Sequence, residues 1–412
     1  MTVDAIDYRS PNVLEAALPV VEYEQVQDPD DAHRLIRKAR EQSPIAFGAH
    51  GPEVLTYDLV RILLRDDRFA MPKGIGLAAQ GITSGPVWDR AVKGLLSLDG
   101  AEHHRLRRLV SKAFTPKGAA RLRTTCVEVI NELVDQHTSA GHCDMVADIA
   151  RQYPIAIICA LLGVPHQHWQ QFSDWADDIF KLFAWNVAND APDILHAWEE
   201  LDAYLDGMVA RRRDALTEDL LSDLIRAEVD GDRLTHKELL MLAGGILMAG
   251  TDTTRNQLAA AVQVLCDHPD QWALLAENPE LGPGAVEELM RVSPIIFSTM
   301  RVAVEDVELA GFTIPAGTLV IPNTAAANRD PAVYDEPERL DITRDSPPAM
   351  LTFGGGIHYC LGAHLARIEL AEALTVITRR MPNPRSTGTS PWKPMIGITG
   401  PVTLPIAFDA GH

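Results

Sequence analysis

The sequence predicts a mainly α-helical protein with a smaller β-rich lobe, and three observations carry that reading. Residues 103–280 are dominated by apolar residues at helical spacing, while β-compatible runs lie toward both ends of the chain. At 412 residues, 46% hydrophobic and 23% charged, the chain can bury a sizeable core, and its ordinary composition excludes disordered and fibrous classes. No repeat with a period of about 20–50 residues and no low-complexity linker divides it, so a single domain over 1–412 is expected, with strands from both ends sharing one lobe.

Taken in order, Asp31, Ala32, Leu35, Ile36 and Ala39 set a short helix over 30–41 that Pro44 closes. Two short strands follow at 44–47 and 53–57 around the turn Ala49-His50-Gly51-Pro52. Between 71 and 100, Gly, Ser, Pro and Thr break every period, giving an irregular segment of the kind that borders binding sites. The helical body then takes in 119–137, 154–162, 169–183 and 193–216. Thr235-His236-Lys237-Glu238 is a capping box, and the run behind it reaches His268 before Pro269, a helix of about 30 residues. Strands punctuated by Gly311, Pro315 and Gly317 return over 302–320, and again over 402–408.

Lys+Arg 37 against Asp+Glu 57 leaves a net charge of -20, a field that repels nucleic acid and anionic lipid, so neither is expected as a partner. Asp4 and Asp7 stand where a secretory leader would be basic, and the apolar runs 152–165 and 239–251 fall short of the roughly 18 residues that span a bilayer. A cytoplasmic location is therefore expected. Five scattered cysteines without a C-x-x-C pair exclude a disulfide scaffold, and four of them read as buried core thiols.

The fifth, Cys360, ends the run Phe353-Gly354-Gly355-Gly356-Ile357-His358-Tyr359-Cys360-Leu361-Gly362, directly before a helix-like stretch over 363–377. Three glycines in succession are tolerated where backbone turns tightly and approaches something closely. The turn delivers one cysteine to a helix N-terminus, whose partial positive charge stabilises a thiolate. His358 and His364 keep zinc under consideration, yet tetrahedral zinc needs four compactly placed ligands, whereas a single axial thiolate on a flat macrocycle needs one cysteine and a close-passing backbone.

From Phe353 to Gly362 the chain resembles the cytochrome P450 superfamily of haem-thiolate monooxygenases, matching the signature F-G-x-G-x-H-x-C-x-G at every fixed position. The resemblance implies the cytochrome P450 fold, a triangular prism of helices around a buried haem b. Cys360 would be the axial iron ligand, Phe353 would pack near its sulfur, Gly354 and Ala249 would lie against the cofactor, and His358 would donate to a haem propionate. The long helix carries Ala249-Gly250-Thr251-Asp252-Thr253-Thr254, where hydroxyls compete for backbone carbonyls and a local distortion is expected. This stretch is similar to the family's A-G-x-D/E-T-T, with Asp252 and Thr253 as the acid–alcohol pair. His103 and Arg107, one helical turn apart, and Arg301 resemble the family's propionate-binding residues. Asp99-Gly100-Ala101 departs from the commoner D-P-P and leaves the entry to that helix open.

Glu288 and Arg291 stand at i,i+3, a spacing that is usually surface decoration. The same spacing recurs at Glu336 and Arg339, where Pro337 argues against a helix interior. Their order along the chain resembles the family's buried triad, with Glu288, Arg291 and Arg339 as structural members. The resemblance covers about 29–408.

It further implies a monooxygenase that inserts one atom of dioxygen into a small lipophilic substrate, with Asp252 and Thr253 passing protons. Gly245, Met248 and Ala249 would line the substrate pocket, joined by Ile296, Phe297, Ile396, Ile398 and parts of 71–88. No flavin or iron–sulfur module fits in the chain that remains, so electrons would come from NAD(P)H through a separate ferredoxin and its reductase. A basic patch of Arg105, Arg108 and Lys112 is a candidate docking surface for an acidic ferredoxin. A peroxide-driven peroxygenase and a non-catalytic haem-based ligand sensor are the alternatives, and the Asp252–Thr253 pair argues against both.

Overall fold

Helix α1 (Pro29–Arg40) begins where the Asp28 carboxylate accepts the Asp30 N–H, carries proline in its first turn and ends in Arg37, Lys38 and Arg40, so cap and dipole agree. These coordinates are a computed structural model that describes residues 10–229, 234–345 and 347–410. Strands β1 (Ile45–Gly48) and β2 (Gly51–Val54) form an antiparallel hairpin. The second strand ends earlier than alternation predicts because Tyr57 opens helix α2 (Tyr57–Leu63), its N–H held by the Asp330 carboxylate at 2.8 Å. β2 pairs in parallel with β8 (Leu319–Pro322), which continues through β5 (Arg301–Ala303) to β3 (Phe69–Ala70), giving the order β1-β2-β8-β5-β3. The hairpin of β6 (Val307–Leu309) and β7 (Phe312–Ile314) completes this lobe, whose core includes Val54, Leu63, Ile314 and Val320.

The C-terminal strand does not join that sheet. β10 (Pro405–Ala407) pairs with β4 (His142–Asp144) and β9 (Arg385–Ser386) beside the helical body, so the two ends of the chain supply different sheets. Three-residue strands carry too little alternation to declare a partner, and β4 left no readable sequence signal.

Between the sheets the irregular segment holds one short α-helix, α3 (Pro86–Ala91), and two 3-10 turns at Ala78–Gln80 and Leu95–Ser97. Helices α4 (Gly100–Ser111), α5 (Pro116–Ala120), α6 (Arg123–Asp135), α7 (Tyr153–Leu162), α8 (Trp169–Phe180), α9 (Val187–Arg213) and α10 (Leu220–Val229) follow. The stretch Met145–Leu162 reaches 18 residues at a mean hydropathy of 1.5, enough by length and apolarity to cross a bilayer. It is a π-helical turn at Met145–Ala150 followed by α7, and Ile155, Ile157, Ile158 and Leu162 are buried in the main core.

Helix α11 (His236–Asp267) runs 32 residues, about 48 Å at 1.5 Å per residue. Thr235 Oγ1 and the Glu238 carboxylate form the reciprocal cap that the sequence announces. The helix packs on α7, α8 and α9. A Cβ on Gly250 would lie 2.7 Å from Ile158 Cδ1, so a larger residue there would require the Ile158 side chain of α7 to shift. Then come α12 (Pro269–Glu277), α13 (Gly282–Val292), α14 (Thr324–Ala327) and α15 (Ala363–Arg380), the last packed on α6, α12 and α13.

The path between α13 and α15 is fixed by one guanidinium. Arg291 is fully buried and satisfies all five of its N–H donors. Nε and Nη2 reach the Glu288 carboxylate at 2.7 and 2.9 Å, and the rest go to the carbonyls of Asn328, Pro337 and Arg339 at 3.0, 2.7 and 3.1 Å. The third member of this cluster is not Arg339. Its carbonyl faces Arg291, which turns its side chain outward, 59% exposed, to Glu336 and Asp341. Arg344 comes in instead, its Nε 3.3 Å from Glu288 Oε1.

A second buried carboxyl lies in the β-lobe. Glu53 Oε2 accepts from Tyr23 Oη at 3.2 Å and Asn323 Nδ2 at 2.8 Å, and burial raises its pKa to about 7. A carboxyl with a raised folded pKa stabilises the fold fully below its unfolded pKa and loses that contribution as pH rises through about 7. Glu53→Gln is therefore expected to gain stability over wild type between pH 5 and pH 8 in denaturant melts; parallel profiles would refute the buried-acid assignment.

Removing one partner of the Arg291 cluster leaves a buried charge uncompensated, so Glu288→Ala should cost about 3–5 kcal/mol. Arg339→Ala should leave the thermal midpoint where it is. Calorimetry on the two variants separates them, and equal losses would contradict the outward placement of Arg339.

Candidate functional site

Asn328, whose carbonyl binds Arg291, also anchors the cysteine loop: its Oδ1 accepts the Leu351 N–H at 2.7 Å and its Nδ2 donates to Thr352 Oγ1 at 2.8 Å. Beyond Phe353 the glycines turn the chain. Gly354 and Gly356 take φ of +73° and +63°, and a Cβ on Gly356 would lie 2.5 Å from the Leu64 carbonyl, so the close approach is to the end of α2. The Cys360 N–H then closes the loop on the Phe353 carbonyl at 2.9 Å.

Cys360 is crowded by protein yet keeps accessible surface. Burial pushes its thiol pKa up, while the amides of Gly362 and Ala363 and the guanidiniums of Arg107 and Arg367 pull it back. The other four cysteines are buried or half-buried, their pKa values pushed up to about 12 by burial. Among the five cysteines, Cys360 alone has these amides and guanidiniums together opposing the effect of burial.

An opening lies along α11. Gly245 and Ala249 are exposed in mid-helix although Ala243, Gly244, Ile246, Leu247 and Met248 around them are buried. With Thr253, these residues recur every four positions and share one face. Thr253 Oγ1 donates to the Ala249 carbonyl and Thr251 Oγ1 to the Leu247 carbonyl, both at 2.7 Å. The expected distortion goes no further than these back-bonds, since α11 is unbroken. With its proton committed, the Thr253 hydroxyl offers the opening its acceptor lone pairs. Asp252, one step of 100° around the helix, turns away and is buried in an ion pair with Arg255, which also pairs with Asp177 of α8.

Between α4 and β5 lies a cluster of donors. Both ring nitrogens of His103 are buried without a partner, and burial, with His358 and Arg107 adding, lowers its pKa to about 4. Arg301 is 3% exposed, donates to the Met300 carbonyl at 2.8 Å, and burial brings its pKa to about 10. Among the described residues it forms no ion pair. Arg107 donates to the Tyr359 carbonyl. His358 stands 4.7 Å from His103 between ring centroids, but its Nε2 is taken by Asp99 at 2.8 Å, which limits its donation elsewhere. Gly100 takes φ of +61°, which proline cannot adopt, so the departure at Asp99-Gly100-Ala101 changes the entry to α4.

Several residues expected at the substrate pocket lie elsewhere. Met248 is 4% exposed within the main core, because its neighbours on α11 already occupy the open face. Phe297 is 2% exposed and stacks on Tyr23 and His33 at 5.9 and 4.8 Å, filling the core beside the β-lobe. Ile296 and Ile398 pack against that same cluster, and Ile396 is half-buried. The basic patch is weaker than its composition implies, since Arg105 is paired with Glu102 and Glu238. Sequence reasoning missed Arg255, Arg344 and Arg367; only the i,i+3 spacing of Asp252 and Arg255 offered a signal.

The donor set fits a haem. One thiol keeps accessible surface, and the unpartnered ring nitrogens of His103, with the buried guanidinium of Arg301 that forms no ion pair among the described residues, can take the two carboxylates that such a macrocycle carries.

Comparisons agree with this chemistry. The profile described as Cytochrome P450 matches residues 88–279 and 280–397. Mycinamicin IV hydroxylase/epoxidase of Micromonospora griseorubida is 39% identical over 395 residues, 92% of this chain and 97% of that protein. Nocardicin C N-oxygenase of Nocardia uniformis subsp. tsuyamanensis is 37% identical over 86% of this chain and 89% of its own length. The structure of epothilone D-bound cytochrome P450epoK superposes with a TM-score of 0.85 at 30% identity, covering 93% of this chain and 97% of that one. With these matches, a cysteine thiol and a donor cluster suited to carboxylates, the chain belongs to the cytochrome P450 family of haem-thiolate monooxygenases.

Proposed function

We propose that this monooxygenase hydroxylates, or similarly oxidises, a lipophilic small molecule held against α11, using electrons from NAD(P)H through a ferredoxin reductase and a ferredoxin. The observation that carries the reading is the face of Gly245, Ala249 and Thr253, where two small residues leave room beside one hydroxyl in mid-helix. The relatives named for mycinamicin IV and nocardicin C support oxidation of an elaborated natural-product scaffold.

The haem, when bound, supplies the reduction of dioxygen and the transfer of one oxygen atom to substrate. His103, Arg107 and Arg301 would hold its carboxylates, with His358 positioned by Asp99, while Phe353, Gly354 and Ala249 pack against it. Thr253 Oγ1 orients a water in the opening by accepting its hydrogen bond. Asp252 supplies protons from behind, where Arg255 links it to Asp177, whose side chain is 39% exposed. Apolar walls at Gly245, Ala249 and Ile396 select for lipophilic substrates and keep bulk water away.

Arg108, with Arg107, lines a groove on the outer face of α4, a surface suited to an acidic ferredoxin. We place the protein in the cytoplasm, where soluble electron carriers of this kind operate.

With a substrate identified by its shift of the Soret band, product should form with NAD(P)H, surrogate reductase and ferredoxin. Product with hydrogen peroxide alone would favour the peroxygenase, and binding without turnover the sensor. Thr253→Val keeps the branched shape but removes the hydroxyl. It should leave haem content and substrate affinity within about twofold, while product per NAD(P)H falls at least tenfold and peroxide accumulates. Unchanged coupling would remove Thr253 from the proton path.

A further inference from the structure

Helix α15 carries a residue that none of these steps uses. Arg367 lies seven positions after Cys360, two helical turns along. Its guanidinium carbon stands 4.5 Å from the centroid of the Phe353 ring, and its Nη1 donates to Tyr359 Oη at 3.2 Å. Its Nε donates to the carboxylate of Glu287 on α13. One cation therefore grips the cysteine loop at two points: at Phe353, whose carbonyl accepts the Cys360 N–H, and at Tyr359, the residue before the cysteine. A planar guanidinium can stack and hydrogen-bond at once, which a lysine ammonium cannot.

Glu287 and Glu288 are adjacent on α13 and serve opposite ends of the loop. Glu288 is 3% exposed and holds Arg291 and Arg344, whereas Glu287 is 32% exposed and holds Arg367, itself 30% exposed.

We propose that Arg367 is a positioning residue that raises the reduction potential of the haem iron bound by Cys360, and that Glu287 is the counter-charge that moderates it. The inference rests on Cys360 being the axial ligand. Reduction adds one electron to the ferric centre, so a fixed positive charge beside the thiolate favours the ferrous state, and a carboxylate beside that charge weakens the preference. Both groups are about one-third exposed, so salt should compress the effect.

The test is an anaerobic titration of the haem-loaded protein with dithionite as the one-electron donor, followed in the visible spectrum. Arg367→Gln should shift the ferric/ferrous equilibrium toward ferric several-fold and up to about tenfold, tenfold being ~59 mV for one electron. Glu287→Gln, which frees the Arg367 charge, should shift it the opposite way. A purely structural brace would lower haem retention or melting temperature and leave the potential unmoved. Unchanged potentials, or shifts of the same sign in both variants, overturn the proposal. Should Arg367→Gln fail to hold haem, the direction of the Glu287→Gln shift decides alone. The carbon monoxide complex of reduced wild type is the control for the ligand: a band without the red shift of thiolate haem means that Cys360 ligation has failed, whereas an intact band with unmoved potentials means that only the role of Arg367 has.

Discussion

The burial of Arg291 constrains the rest of the site. A guanidinium removed from water must place five N–H donors, and here each finds an oxygen on a different stretch of chain or on Glu288. Because three of those oxygens are backbone carbonyls, the charge dictates a route for 328–339 that no apolar residue would require. Asn328, fixed at one end of that route, holds Leu351 and Thr352, and from them the glycine turn carries the chain to Cys360. The sulfur is positioned by an ion pair that never touches it.

Helix α11 solves a different problem with the same economy of residues. A helix through the core ordinarily buries large side chains all round, but here one stripe is kept small, and surface stays open at Gly245 and Ala249. The 100° step between neighbours lets Asp252 serve a buried charge network while Thr253 faces the opening. In the proposed function, proton supply and proton use sit one residue apart without direct contact between the two side chains.

The donors at His103 and Arg301 show what the fold expects to receive. Leaving the His103 ring unpartnered costs about 1–3 kcal/mol, and with Arg301 nearby the cluster gains most when an anion joins it. Asp99 neutralises part of this cluster through His358, an arrangement tied to the left-handed turn at Gly100. Haem binding should accordingly contribute to stability as well as to chemistry.

Much of the site was legible because its chemistry is local in sequence. The run Phe353–Gly362 holds both the turn and the thiol, the capping box at Thr235 declares the start of α11, and Ala249–Thr254 declares its polar middle. What the sequence alone determined was which residue types stand at fixed offsets within one turn or one helix, since those offsets follow from backbone geometry. It did not determine which way a side chain points when several choices satisfy the same local rule. Arg339 and Arg344 both follow Glu288 at plausible distances, and only the path set by Arg291 turns one outward and the other in. Phe297 and Met248 were apolar candidates for the pocket, and packing against neighbours distant in the chain drew them into the core. Arg367 carried no signal, because its meaning arises from an aromatic ring fourteen residues earlier and a carboxylate on another helix, brought together by the tertiary structure.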